Sequence, residues 1–265
     1  MDYRVAFVPV LVWTALASGI PRASARPVRA PLAPVARSDS TLPDVSDLPL
    51  VEVPAAGGSG HTLALVMSGD GDWASFVRAV ADTLAASGLP VVGLKSRSYL
   101  ARTRTPEALA EDVARVLDHY LALWQRDSVV LVGYSRGADF IPLVLNRLPG
   151  ALRARVRLAA MIGPSQRVTL HFHVIDLVRD VRRPTDIPLL PEAAAMMRTN
   201  VPIVCIYGER DRDTLCPSLA REGARVLARP GGHRDPDPAQ EAALILSTVR
   251  PDGGSRRMSG AQHTA

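Results

Sequence analysis

Val129-Val130-Leu131-Val132-Gly133-Tyr134-Ser135-Arg136-Gly137 is the segment around which this 265-residue chain is organised. Its first four residues are an apolar, mostly β-branched run, the composition of a buried strand. Ala138 to Leu148, immediately after it, reads as a helix. Strand, sharp turn and helix form the context in which G-x-S-x-G makes a nucleophile elbow. The chemistry requires that shape, because a serine hydroxyl is a weak nucleophile until it is held clear of the backbone and given a base. Gly133 and Gly137 carry no Cβ, so strand and helix can close tightly around the turn.

Outward from the elbow, apolar runs alternate with helical periodicity. Thr62–Met67, Leu89–Leu94, Val129–Gly133, Val156–Ile162, Val201–Tyr207 and Ala224–Ala228 read as strands, with Leu50–Val53 as a short edge strand. Phe76, Val77, Val80 and Leu84 recur at helical spacing, and Asp72 stands where it can cap that helix. Thr105-Pro106-Glu107 starts another helix, which runs to about Trp124. Pro142 inside the helix after the elbow is expected to bend or break it. Pro238–Val249 closes the fold as a helix. Continuous apolar strands alternating with helices predict an α/β fold with a mostly parallel central sheet covered on both faces. Residues 165–198 interrupt the alternation and read as a short insertion before the penultimate strand, over the sheet's upper edge.

The ends of the chain read differently. Arg4, the apolar run Val5–Leu16 and an A-x-A site at Ala23-Ser24-Ala25 have the grammar of a secretory signal peptide over residues 1–25. The run is shorter than the roughly 20 residues of a membrane span. Residues 26–49, rich in Pro, Arg, Ser and Ala, read as a linker to a domain over residues 50–250, and residues 251–265 as a disordered tail. The formal charge is +5, carried almost wholly by arginine, with Lys95 the one lysine. No basic block is present, so nucleic acid is not an expected partner, while attraction to anionic membrane surfaces is compatible with the charge. Export to an oxidising compartment gives Cys205 and Cys216 reason to pair. The alternative is a buried thiol on the strand and an unrelated one on the loop.

A serine elbow needs a base and an acid, which follow it in the order Ser, Asp or Glu, His. His233, after two glycines just past the last strand, has the right order and place. The loop Gly208-Glu209-Arg210-Asp211-Arg212-Asp213 supplies the acid. Gly-x-x-Asp spacing points to Asp211, and Asp213 is its rival; the loser is a loop charge paired with Arg210 or Arg212. Two backbone amides are needed for an oxyanion hole: that of Arg136, following the nucleophile, and that of Asp70 in the Ser68-Gly69-Asp70-Gly71 loop. No C-x-x-C or H-E-x-x-H occurs, so no metal site is supported and the triad chemistry calls for no cofactor.

Ser68-Gly69-Asp70-Gly71-Asp72-Trp73, Gly133 to Asp139, Asn146-Arg147-Leu148-Pro149, Phe172-His173-Val174, Cys205 to Glu209, Leu215-Cys216-Pro217 and Gly231-Gly232-His233 together resemble the bacterial virulence protein VirJ/AcvB family. The likeness covers about residues 50–248. Arg136 stands where that family leads one to expect an aromatic. The resemblance implies an exported α/β-hydrolase. Its AcvB branch removes the amino acid from lysyl-phosphatidylglycerol, and VirJ members are linked to type IV secretion. The expectation is therefore a periplasmic serine esterase acting on an aminoacyl-phospholipid at the inner-membrane surface. With that substrate, Asp70, Asp72 and Asp139, near the mouth of the site, are expected to attract its ammonium groups, and Arg179, Arg182 and Arg183 of the insertion are expected to face phosphates or solvent. A general carboxylesterase or thioesterase, and a non-catalytic partner of secretion-system components, are the rivals.

Overall fold

The structure, a computed structural model, describes residues 42–55, 57, 60–178, 181–233 and 237–249. The expected signal peptide, most of the expected linker and the expected tail lie outside them. A seven-stranded sheet is built from β1 (Leu50–Val53), β2 (Thr62–Met67), β3 (Val91–Leu94), β4 (Ser128–Tyr134), β5 (Val156–Ile162), β8 (Ile203–Gly208) and β9 (Arg225–Arg229). Their spatial order is β1-β3-β2-β4-β5-β8-β9, with only β1 antiparallel to its neighbour. A separate antiparallel ribbon joins β6 (Arg167–Val168) to β7 (Ile187–Pro188). The helices are α1 (Ser75–Ala86), α2 (Ser96–Tyr99), α3 (Pro106–Leu123), α4 (Arg136–Arg147), α5 (Gly150–Arg153), α6 (Leu189–Met197), α7 (Cys216–Arg221) and α8 (Pro238–Thr248). This is the mostly parallel α/β sheet that the apolar runs predict.

Strand periodicity explains why both faces are covered. Leu63, Leu65 and Met67 of β2 point into one core, shared with α3 and α4. Ala64 and Val66, between them, point into the other, shared with α1 and α8. The same alternation divides Val129 and Leu131 from Val130 and Val132 on β4. A central strand buried on both faces has no polar face to offer, which is why it reads as an unbroken apolar run. α4 is buried along nearly its whole length, from Gly137 to Leu145, because it lies between the sheet, α3 and α6 of the insertion.

Three sequence expectations are corrected. The helix after the elbow runs unbroken from Arg136 to Arg147 with Pro142 inside it, and Pro142 is buried in the core. Residues 43–49 are not a free linker. Val45 and Leu48 are buried in the core, Asp47 pairs with Arg115 at 2.9 Å, and Pro43 O is 2.7 Å from His119 Nδ1. Seven residues with two apolar anchors are too few to show a period. Finally, Asp72 does not cap α1, whose N-cap is Ala74 with no side-chain bond. It accepts from the backbone N–H and the hydroxyl of Ser98, at 3.0 and 2.7 Å, and so caps α2 across the chain.

The strand order places the site. The chain leaves β2 in one direction to β3 and β1, and continues from β4 in the other to β5, β8 and β9. In open parallel sheets, the crevice beyond the strand ends at such a reversal is where ligands bind. Here that crevice lies between the loop after β2, at Ser68–Gly71, and the turn after β4, at Ser135.

Candidate active site

Ser135 has φ 53° and ψ −118°, a backbone conformation that side-chain-bearing residues rarely adopt. The surroundings hold it there. A Cβ on Gly133 would come 2.3 Å from Gly137 O, and one on Gly137 would come 2.1 Å from Met67 O. Only glycine fits at either position. The Ser135 carbonyl accepts from the N–H groups of Ala138 and Asp139, at 2.8 and 3.1 Å, so the strained residue opens α4 directly. Strain of about 1–3 kcal/mol is typical of such a conformation and persists where the neighbours over-determine it.

Around this turn three side chains form one hydrogen-bonded chain. Ser135 Oγ is 2.9 Å from His233 Nε2, and His233 Nδ1 is 3.0 Å from Asp211 Oδ2. An ionised carboxylate only accepts, so Nδ1 carries the proton toward Asp211 and Nε2 is left to accept from the serine hydroxyl. The imidazole lies over Gly163, whose φ of +60° and missing Cβ make room for it; a Cβ there would meet the ring at 3.0 Å. The Tyr134 ring stacks beside His233 at 6.1 Å and packs on Phe76 at 4.5 Å.

The acid loop is braced from several directions. Asp211 N–H donates to Gly208 O at 2.8 Å and Arg210 N–H to Gly231 O at 3.0 Å, which ties the loop to the segment carrying His233. Cys205 of β8 is disulfide-bonded to Cys216 at the start of α7, as the sequence leads one to expect. The bridge closes the loop that holds Asp211, and chain-entropy reasoning gives such a short closure about 3 kcal/mol. Asp213 lies on the same loop; its side chain is 46% exposed and sits 3.6 Å from Arg167, while Asp211 takes the Nδ1 side of His233.

A cavity of about 610 Å³ opens beside Ser135. The Ser68–Gly71 loop closes one side, so near that a Cβ on Gly69 would be 3.2 Å from Ser135 Cβ. The side chains of this loop behave differently from the expectation. Asp70 does line the cavity, but its carboxylate is clamped by Arg136 at 2.9 and 3.1 Å. Arg136 also donates to Thr169 O at 3.2 Å. Where the family resemblance leads one to expect an aromatic, Arg136 thus fastens the loop after β2 to the nucleophile's helix and to the insertion. Asp72 is not among the cavity-lining residues, held by Ser98 and by Arg97 at 3.4 Å. Neither acid is available to an incoming cation in the way the sequence suggests.

Asp139 is the third expected acid, and it does line the cavity. It is buried, 3% exposed, with Oδ1 accepting from Ser165 N–H at 2.7 Å. Burial pushes its pKa up to about 8, against the opposing pull of the nearby Arg136 guanidinium and the Ser165 bond. Of the insertion arginines, Arg183 lines the cavity, Arg182 is exposed, and Arg179 lies outside the described residues. Arg167, Thr169 and Asp186 also face the cavity and were not legible as site residues. They come from the β6–β7 ribbon, whose two-residue strands leave no periodicity to read. Tyr134 had a signal, since the residue before an elbow serine faces the strand ends, and Phe76 of α1 packs on it.

Residues 61–252 match the family described as bacterial virulence protein (VirJ). The chain belongs to the VirJ family. No curated protein sequence matches it. Among solved structures, MenH from S. aureus aligns at 11% identity over 76% of this chain and 97% of its own, with a TM-score of 0.56. Est1E from Butyrivibrio proteoclasticus aligns at 13% identity over 78% and 97%, with a TM-score of 0.55. The Pyrococcus furiosus esterase Pf2001 aligns at 12% over 79% and 92%, with a TM-score of 0.54. At such identities the likeness is one of fold, and it gives this VirJ domain the α/β-hydrolase fold.

Proposed function

We propose that this VirJ-family chain is an exported serine esterase that removes the amino acid from aminoacyl-phosphatidylglycerol. One observation carries the choice of substrate. The cavity beside Ser135 is walled by charges of both signs, with Asp139, Asp186 and Asp213 among the acids and Arg136, Arg167 and Arg183 among the bases. A short neutral ester gains nothing from such walls and must displace their water. An aminoacyl phospholipid brings ammonium groups beside its ester carbonyl and a phosphate beyond it, and so matches both signs. The signal-like N-terminus and the disulfide support export to the periplasm.

In this reading Ser135 Oγ attacks the aminoacyl carbonyl while His233 Nε2 takes its proton. Asp211 holds the imidazole in the tautomer this needs and stabilises the imidazolium that forms. The backbone amides of Arg136 and Asp70 receive the oxyanion, and the Arg136 side chain sets the second amide's loop in place. His233 then gives its proton to the leaving glycerol hydroxyl. Water, activated by the same histidine, releases the amino acid and restores Ser135. The cation-binding role falls to Asp139. An ammonium group arriving in the cavity adds its positive charge to that of Arg136 near this buried carboxyl and favours its ionised form.

The test is release of lysine or alanine from the aminoacyl lipid in mixed micelles, read by mass spectrometry, with wild type beside Ser135→Ala. Release by wild type alone is expected. Cleavage of short neutral esters with the aminoacyl lipid left intact would assign a general carboxylesterase or thioesterase instead. Failure on both would point to a non-catalytic partner of a secretion machine.

A further inference from the structure

We infer that the segment Val174–Val178 is an interfacial docking element that seats the mouth of the catalytic cavity on a bilayer rich in anionic phospholipid. The inference rests on the lipid-ester reading above for its purpose, but its observations are separate. The insertion forms a single 3-10 turn over Val174–Leu177. Val174, Ile175 and Val178 are 72%, 43% and 80% exposed, three of the six exposed large hydrophobic residues described in the whole chain. Scattered exposed aliphatics need no explanation, but three within five residues form a patch. Val178 is also part of the cavity wall, so the patch is continuous with the mouth of the site.

The neighbouring chain supplies the charge. Phe172 N–H donates to Leu100 O at 2.9 Å, and Arg104 N–H donates to Leu170 O at 2.8 Å. These bonds lay residues 100–104 alongside the root of the apolar turn. From Lys95 to Pro106 the sequence holds Lys95, Arg97, Arg102 and Arg104 and no acid. Arg104 is turned inward, over the Tyr99 ring at 4.3 Å and toward Asp112 at 3.5 Å. Arg102 is exposed, and Arg97 is 43% exposed with its guanidinium 5.9 Å from the Phe172 ring centre. Arg182, beyond the turn, is exposed as well. The turn is therefore flanked by cations on both of its chain sides.

A bilayer fits this surface better than a protein does. Three aliphatic side chains cover a few hundred Å² at most, short of the roughly 1,200 Å² total of a stable protein–protein interface. Shallow insertion of a few apolar side chains with arginines at the headgroups is how peripheral proteins combine two weak signals. A substrate ester near the glycerol level would then lie next to the cavity mouth.

The experiment uses full-length mature protein carrying Ser135→Ala, sedimented with vesicles of phosphatidylglycerol and phosphatidylcholine or of phosphatidylcholine alone. Binding is expected with the mixed vesicles, falling at least tenfold with phosphatidylcholine alone or at high salt. Val174→Asp with Ile175→Asp should lower it at least tenfold, and Arg102→Glu should lower it severalfold and flatten the salt dependence. In the Ser135 background of wild type, the same substitutions should leave hydrolysis of a soluble short-chain ester within twofold, which shows that the fold is intact. Equal vesicle binding by the turn variant would overturn the inference. So would a wild type that ignores mixed vesicles while cleaving the aminoacyl lipid in detergent, an outcome that leaves the proposed function standing. Vesicle binding that needs the turn, without cleavage of the lipid, would sustain the docking element and sink the substrate.

Discussion

The two ends of α4 solve opposite problems. At its C-terminal end every charge is answered. Arg147 lies 2.9 and 3.0 Å from the two Glu192 oxygens and 3.0 Å from Glu107, and Asn146 donates to Glu192 at 2.6 Å. The basic residue sits in the last turn, where the helix dipole favours it. Bonds from Arg147 hold the Glu192 carboxyl below the usual carboxylate range. At its N-terminal end Ser135 has a positive φ, two positions accept only glycine, and Asp139 is a buried acid whose pKa is raised to about 8. One end of the helix stores stability and the other spends it, and the cavity lies at the second. Strain and a destabilised charge confined to one end of an otherwise satisfied helix are the features that cluster at functional sites.

The contrast can be broken at graded cost. The largest effect is expected at the acid loop. Asp211→Asn should lower the rate of ester hydrolysis about 10⁴-fold, because it disturbs the His233 tautomer. Asp213→Asn, at a carboxylate 3.6 Å from Arg167, should change it far less. A reversed ranking in steady-state rates would place the functional acid at Asp213.

Asp139→Asn should separate binding from stability. The amide keeps an oxygen to accept from Ser165 N–H and removes the charge. KM for an aminoacyl lipid should rise about tenfold, the size of one lost charge-assisted contact, while that for a neutral ester stays put. The stability effect has the opposite sign. The unfolded chain releases this proton near 3.8 and the native protein near 8, so the native state holds the extra proton between them. Wild-type stability therefore falls as pH rises through that window, and the variant should escape the fall. Thermal melts at pH 5 and pH 8 should show the variant gaining on wild type at the higher pH.

The smallest effect belongs to the satisfied end. Glu192→Gln should cost about 1–2 kcal/mol of stability and leave ester hydrolysis unchanged. Because the Glu192 pKa is lowered in the folded state, that contribution is present above the ordinary carboxylate range and is lost as pH falls through the lowered value. Urea denaturation at pH 7 and pH 3 checks both the size and the direction.

The same contrast marks what the sequence could disclose. The sheet was legible because β2, β4 and the part of β5 after Arg157 are apolar runs, and the elbow because glycine spacing is a steric requirement visible in the letters. The order of Ser135, Asp211 and His233 along the chain was legible for the same reason, since each follows a strand end. What side chains do across space was not. Asp70 and Asp72 look alike in the loop after β2, yet one is clamped by Arg136 and the other is drawn off to Ser98. Asp139 reads as an ordinary acid in the first turn of a helix, and its burial follows from the segment around Ser165 closing over it. The part of the insertion before α6 stayed opaque because a two-residue ribbon and a single 3-10 turn are shorter than any periodic signal.

Everything proposed for this site turns on Ser135 being a nucleophile activated by His233. Exposure to a fluorophosphonate, followed by intact-mass measurement and peptide mapping, probes that activation. A single adduct is expected, on the peptide holding Ser135, with Ser135→Ala unlabelled and its ester hydrolysis lower by about 10⁶-fold. An adduct on another residue, or a clean Ser135→Ala protein retaining more than about a tenth of wild-type hydrolysis, would contradict it.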